Sequence, residues 1–164
     1  MPATPDIPVY PHPAPNQAWL DTLREPIIDP ARPIVDPHHH LWHRDGQDYL
    51  LAELLADIGS GHNVVATVFL QCHWAYRTQG EPALRPVGET EFVRALADRA
   101  DAQGSTAKVC AGIVGFADLT LGDAVENVLE AHVAAGGGAS AASVTRRRWS
   151  RPSAPAPRPC RKPG

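Results

Sequence analysis

The sequence predicts an α/β fold built on a parallel sheet, and three observations lead there. Between Pro33 and Ala135, short apolar segments alternate with helical ones three times over. A strand–helix–strand repeat of this kind implies parallel strands joined by right-handed crossovers. Two of the strands, residues 63–70 (NVVATVFL) and 109–116 (VCAGIVGF), are almost wholly apolar, as strands covered on both faces are. The third observation is length: 164 residues with 43% apolar side chains suffice for one domain with a core. They fall short of a closed barrel of eight strand–helix units, which takes about 200 residues or more.

Each element has its own signal. Ten of the 17 prolines lie in the first 37 residues, so residues 1–32 read as an extended proline-rich arm lying on something else. Trp19, Leu20 and Leu23 suit one helical turn that would anchor it. The folded part begins at Pro33, where Ile34-Val35 makes a short strand ending in Asp36-Pro37. Residues 50–58 form a helix with Leu50, Leu51, Leu54, Leu55 and Ile58 on one stripe and Gly59 as its stop. After the strand 63–70 comes a helix over 89–102, with Phe92, Leu96 and Ala100 spaced by four. The strand 109–116 leads to the clearest helix, 121–135, where Leu121, Val125, Val128, Leu129 and His132 share a face and Gly136 follows.

The formal net charge of −3 conceals a division. Residues 1–138 carry 18 acidic and eight basic side chains, whereas residues 139–164 carry seven basic and no acidic ones. That last stretch has five prolines and no apolar periodicity, so it reads as a disordered basic tail. A sharper reading comes from the genetic code, because Ala, Ser, Arg and Pro crowd together when GC-rich DNA is translated out of frame. Codons for 139–145, read one base earlier, can spell Arg-Phe-Arg-Gly-Ile-Arg-His, a plausible strand. The expectation is therefore a frameshifted tail after the glycine run.

No apolar run approaches the roughly 18 residues of a membrane span, and the first 15 residues lack the pattern of a secretory signal. Three widely spaced cysteines, Cys72, Cys110 and Cys160, argue for a reducing compartment rather than a disulfide framework. The expectation is a soluble cytoplasmic protein without membrane partners.

The strongest chemical signal is Asp36-Pro37-His38-His39-His40-Leu41-Trp42. Alternation along an extended segment points His38 and His40 the same way and His39 the other. Two imidazoles so spaced at a strand's carboxyl end can share one divalent metal ion, and parallel barrels place their active sites at that end. The competing reading is a polar cluster that caps the strand. His73 follows the second strand at the same end and is a pocket candidate, although Trp74 and Tyr76 beside it suit a packing role equally well. His43 reads as part of a polar loop, and Cys72 as a core thiol. His132 reads as structural, placed where an imidazolium would favour the helix dipole. Glu89 and Glu91 suit a helix amino terminus without any catalytic role.

Asp36-Pro37-His38-His39-His40-Leu41-Trp42 resembles the opening of the amidohydrolase-related (amidohydrolase 2) family. So do residues 61–69 (GHNVVATVF), 84–92 (LRPVGETEF) and 111–119 (AGIVGFADL). The resemblance spans about 33–138. It implies an incomplete (β/α)8 TIM barrel, comprising the first three β/α units of a metal-dependent hydrolase, lactonase or decarboxylase. It further implies that His38 and His40 are the paired metal ligands, with zinc the expected ion and a small molecule the substrate. The family takes further ligands and a catalytic aspartate from later strands, so the chain as written is expected to be inactive or nearly so. Two other classes stay open. One is a small nucleic-acid-binding protein using the basic tail, which the acidic body opposes. The other is a non-catalytic metal-binding module built on His38 and His40.

Overall fold

A computed structural model describes residues 16–44 and 47–144. The elements in chain order are α1 (Gln17–Leu20), β1 (Pro33–His39), β2 (Trp42–Arg44), β3 (Gln47–Tyr49), α2 (Leu51–Ile58) and β4 (Asn63–Leu70), then a 3-10 turn at Pro82–Leu84. They continue with α3 (Val87–Ala102), β5 (Lys108–Phe116), a 3-10 segment at Leu119–Ala124, α4 (Val125–Gly136) and β6 (Ser140–Val144). Strands β1, β4, β5 and β6 form one parallel sheet in that order, and β2 pairs with β3 as a separate antiparallel hairpin. The fold is α/β with a parallel sheet, and the described residues form no closed barrel.

Strands laid down in chain order with right-handed crossovers put every crossover helix on the same side. Burial follows that geometry. Thr67 and Phe69 on β4, with Ile113 and Gly115 on β5, are buried on the helix side. Alternate residues Ala66, Val68, Leu70, Val114 and Phe116 face the other way and are only half-buried. The core joins Phe69 and Ile113 of the sheet to Leu51 and Leu54 of α2 and to Val93 and Leu96 of α3.

Four expectations need correction. The turn at Trp19 and Leu20 forms as α1, but it does not anchor the arm, because Trp19 is 69% and Leu23 70% exposed. A four-residue helix has too little surface to bury side chains that large. The arm is instead held further on, where Asn63 Nδ2 donates to the Ala31 carbonyl at 2.9 Å. The last helix begins at Val125 rather than at 121, since Gly122 takes φ 61° and ψ −138° and interrupts it. Leu121 is accordingly exposed. The loop around His43 is a hairpin, β2–β3, with Trp42 opposite Tyr49 and His43 opposite Asp48.

The fourth correction concerns the tail. Residues 140–144 are not irregular but form β6, parallel to β5 from Gly112↔Ser140 to Phe116↔Val144. Backbone pairing needs no apolar pattern, and the edge of β5 presents unpaired amides and carbonyls to any chain returning beside it. Gly137, in the left-handed region at φ 58°, turns the chain out of α4 toward that edge. The sheet therefore has four strands where three were expected. Residues 145–164 and 1–15 lie outside the described residues, and so do the parts of the arm and tail readings that fall on them.

Candidate functional site

The site grows from an irregularity in β1. Pro37 has no amide hydrogen, so it cannot contribute a ladder bond, and the β1–β4 register shifts between Asp36 and His39. The His38 amide donates instead to its neighbour Asp36 Oδ1 at 3.1 Å. Beyond the shift, His39 turns into the core, 7% exposed, while His38 and His40 turn together on the opposite side.

His40 Nδ1 lies 2.8 Å from the Leu70 carbonyl at the end of β4. A carbonyl only accepts, so Nδ1 carries the hydrogen, and Nε2 of the neutral ring presents its lone pair. His38 Nε2 lies 3.3 Å from that nitrogen, and the rings meet edge-on with centroids 5.0 Å apart. With His40 Nε2 as acceptor, the proton between the two belongs to His38. Two nitrogens bound tetrahedrally to one zinc ion at 2.0–2.1 Å would lie about 3.3 Å apart. That spacing suits two ligands of one ion, and the Leu70 carbonyl holds His40 in the way an outer hydrogen bond holds a ligating imidazole. Among the described residues no group of three or more His, Cys, Asp or Glu side chains is placed to hold a metal. The residues present therefore fit two positions of a metal site.

Sequence reasoning missed what lies behind the pair. His39 Nε2 is 2.9 Å from Thr67 Oγ1, and the same hydroxyl oxygen accepts the Cys110 amide at 2.9 Å. Burial lowers the His39 pKa, outweighing the opposing pull of Asp36. A neutral ring then accepts the Thr67 proton. Cys110 adopts φ 50° and its thiol, 3.8 Å from His39 Nε2, is pushed up to about 12 by burial. It is a packing group rather than a nucleophile. The one sequence signal for this arrangement is a threonine within an otherwise apolar strand.

His73 sits at the same end of the sheet as His38 and His40 but on the surface. It takes φ 63°, shares a hydrogen bond with Tyr76 Oη at 3.1 Å, and lies against Phe116 with centroids 5.7 Å apart. The structure does not bring it into the His38–His40 cluster. Aromatic rings line this end: Trp42 lies 6.2 Å from His40 and stacks on Tyr49 at 5.6 Å, and Trp74 lies 5.9 Å from His43. His43 pairs with Asp48 across the hairpin.

Glu89 does more than favour a helix terminus. It is 1% exposed, and its Oε1 accepts the amides of Cys72 at 3.0 Å and Trp74 at 2.8 Å. It therefore pins the loop that carries His73. Gly88 lets that loop pass, since a Cβ there would come 2.7 Å from the Ala75 carbonyl oxygen and the Arg77 amide nitrogen. Glu91 meets the solvent side of the same loop through Arg77, whose Nε donates to it at 3.1 Å. His132 is structural, but not as an imidazolium. It is 2% exposed, its Nε2 donates to the Phe116 carbonyl at 2.9 Å, and its Nδ1 accepts from Thr90 Oγ1 at 2.8 Å. Burial, aided by Arg77, lowers its pKa.

Compared with known proteins, the chain matches no family model, no curated protein and no solved structure.

Proposed function

We propose that this chain is the amino-terminal part of a metal-dependent hydrolase of the amidohydrolase type, with His38 and His40 as the first two ligands of a divalent ion, zinc by the resemblance to that family. The observation that carries the reading is the 3.3 Å approach of the two Nε2 atoms with His40 Nδ1 held by the Leu70 carbonyl. The sequential parallel sheet with helices on one side supports the arc of a (β/α)8 barrel, as does the resemblance of residues 33–138 to that family. When bound, the ion would activate water for attack on a lactone, ester or amide carbonyl, or assist a related decarboxylation. In that reaction the Leu70 carbonyl would orient His40, and His38 would present Nε2 to the ion as the neutral tautomer that keeps its proton on Nδ1. His73 stands at the rim with Trp42 and Trp74, where a small-molecule substrate would pass.

The test is zinc affinity by equilibrium dialysis with metal analysis of the 164-residue chain. His38→Ala and His40→Ala should each weaken binding at least about tenfold, as changes around metal ligands do. Binding indifferent to both substitutions would sink the assignment. Lactone and ester hydrolysis by the same preparation should stay at or near background, because zinc hydrolases use three protein ligands and an open position. A non-catalytic metal-binding module remains the second reading, favoured by the presence of only two clustered donors among the described residues. Metal-dependent turnover above background would exclude that second reading.

A further inference from the structure

We propose that Thr67 is a positioning residue: by holding His39 inward it fixes the β1 register that turns His38 and His40 outward as a pair. The effect on the metal rests on the ligand reading above, whereas the effect on the register does not.

The sheet loses its regular pairing on both sides of Thr67. β1 and β4 pair at Asp36↔Thr67 and next at His39↔Phe69, so three steps along β1 match two along β4. β4 and β5 pair at Ala66↔Lys108 and next at Val68↔Gly112, so two steps along β4 match four along β5. Extra residues disrupt a ladder locally, and the amides they displace need other acceptors. Cys110 takes φ 50° inside the second irregularity, and its amide finds Thr67 Oγ1 at 2.9 Å. The same hydroxyl donates to His39 Nε2 at 2.9 Å. One fully buried side chain thus ties β1, β4 and β5 together at a single point.

The irregularity in β1 decides which way the histidines face. Side chains of a strand alternate between faces, and a slip of one residue exchanges them. Thr67 and Phe69 share the helix side, so their partners Asp36 and His39 share it too, although they stand three positions apart. The extra residue between them is what sends His39 inward. Unbroken alternation from Asp36 would carry His38 and His40 into the core and His39 out of it. A buried imidazole without a partner is costly, so the Thr67 hydroxyl favours the register in which His39 is 7% exposed.

The pair depends on that choice. Turned outward, His40 sets Nδ1 2.8 Å from the Leu70 carbonyl and leaves Nε2 3.3 Å from His38 Nε2. Thr67 bonds to neither ring, yet it governs what both present.

The test compares Thr67→Val, which keeps the shape and loses the hydroxyl, with Thr67→Ser, which restores it. Thr90→Val is the control, because Thr90 Oγ1 makes another buried bond to a histidine, 2.8 Å from His132 Nδ1. Long-range 1H–15N spectra of the metal-free 164-residue chain, at a pH where the rings are neutral, read which nitrogen of His40 carries the hydrogen. Nδ1 is expected in wild type, Thr67→Ser and Thr90→Val, and a mixture of the two nitrogens in Thr67→Val. Zinc affinity should divide the same way, about tenfold or more weaker in Thr67→Val alone. A folded Thr67→Val chain that matches wild type in either measurement overturns the assignment, and so does a Thr90→Val chain that changes as much. Where Thr67→Val does not fold, His39→Gln and His39→Leu take its place. Glutamine keeps a polar atom within reach of Thr67 and should hold His40 in the Nδ1 form; leucine should not. Equal His40 spectra in those two chains overturn the role of Thr67. A wild-type chain that binds no zinc defeats the ligand reading, while the His40 spectra still decide the register.

Discussion

Gly115 and His132 show how much one residue can control here. A Cβ at position 115 would come 2.6 Å from His132 Nδ1 and 3.2 Å from Thr90 Oγ1, so the imidazole that joins α3, α4 and β5 occupies the space a side chain would take. Gly115→Ala should destabilise the fold by about 1–3 kcal/mol, the usual range for overpacking, read as a lower urea midpoint with unchanged m-value. His132 also sets a pH dependence. Its folded pKa lies below the ordinary 6.5 because burial disfavours the charged ring, and His39 is shifted the same way. As pH falls below 6.5, the unfolded chain binds protons that the folded chain refuses, so stability present above that pH is lost. Urea unfolding at a series of pH values should show this decline, and His132→Gln should flatten it. A slope identical in the two chains would rule His132 out as its source.

At the scale of elements, the loop between β4 and α3 depends on one buried carboxylate. Glu89→Ala would leave the Cys72 and Trp74 amides without their acceptor, at about 1–3 kcal/mol for each donor left buried. The variant should melt at lower temperature and lose hydrogen-exchange protection first at residues 72 and 74. Unchanged protection there would mean the loop is held by other contacts. The local pattern made most elements legible. The strand 63–70 is the same in sequence and structure, because a run of β-branched and apolar residues bounded by Gly61 and Gln71 leaves few alternatives. The sequence of the hairpin β2–β3 reads as a loop despite Asp45-Gly46, a turn signal between Trp42 and Tyr49, since three-residue strands are too short to show alternation. The tail hid β6 for another reason: its pairing is made by backbone, which side-chain patterns do not report.

For the whole molecule, the decisive quantity is the division of charge. Residues 1–138 hold 18 acidic side chains against eight basic ones, and all seven remaining basic residues fall between Arg146 and Lys162. A body of that charge repels phosphate, so the chain should not retain duplex DNA at about 0.15 M salt, where screening confines attraction to about 8 Å. Fluorescence anisotropy with a labelled duplex checks this. Tight, salt-sensitive binding that disappears on deleting residues 145–164 would instead favour the nucleic-acid reading.

The sequence by itself determined the alternation of strands and helices, the parallel sheet that alternation requires, and the pairing of His38 with His40 on one side of β1. These are local properties: residue periodicity and strand pleat act over a few positions. Only the tertiary structure decided that Leu70 anchors His40, that Thr67 joins His39 to Cys110, and that Glu89 holds a loop 15 residues before it. It also decided that β6 adds to the β5 edge and that the described helices α2, α3 and α4 pack on one face of the sheet. Those outcomes depend on hydrogen bonds and packing between residues far apart in the chain, and they are fixed only when the crossovers bring the strands side by side.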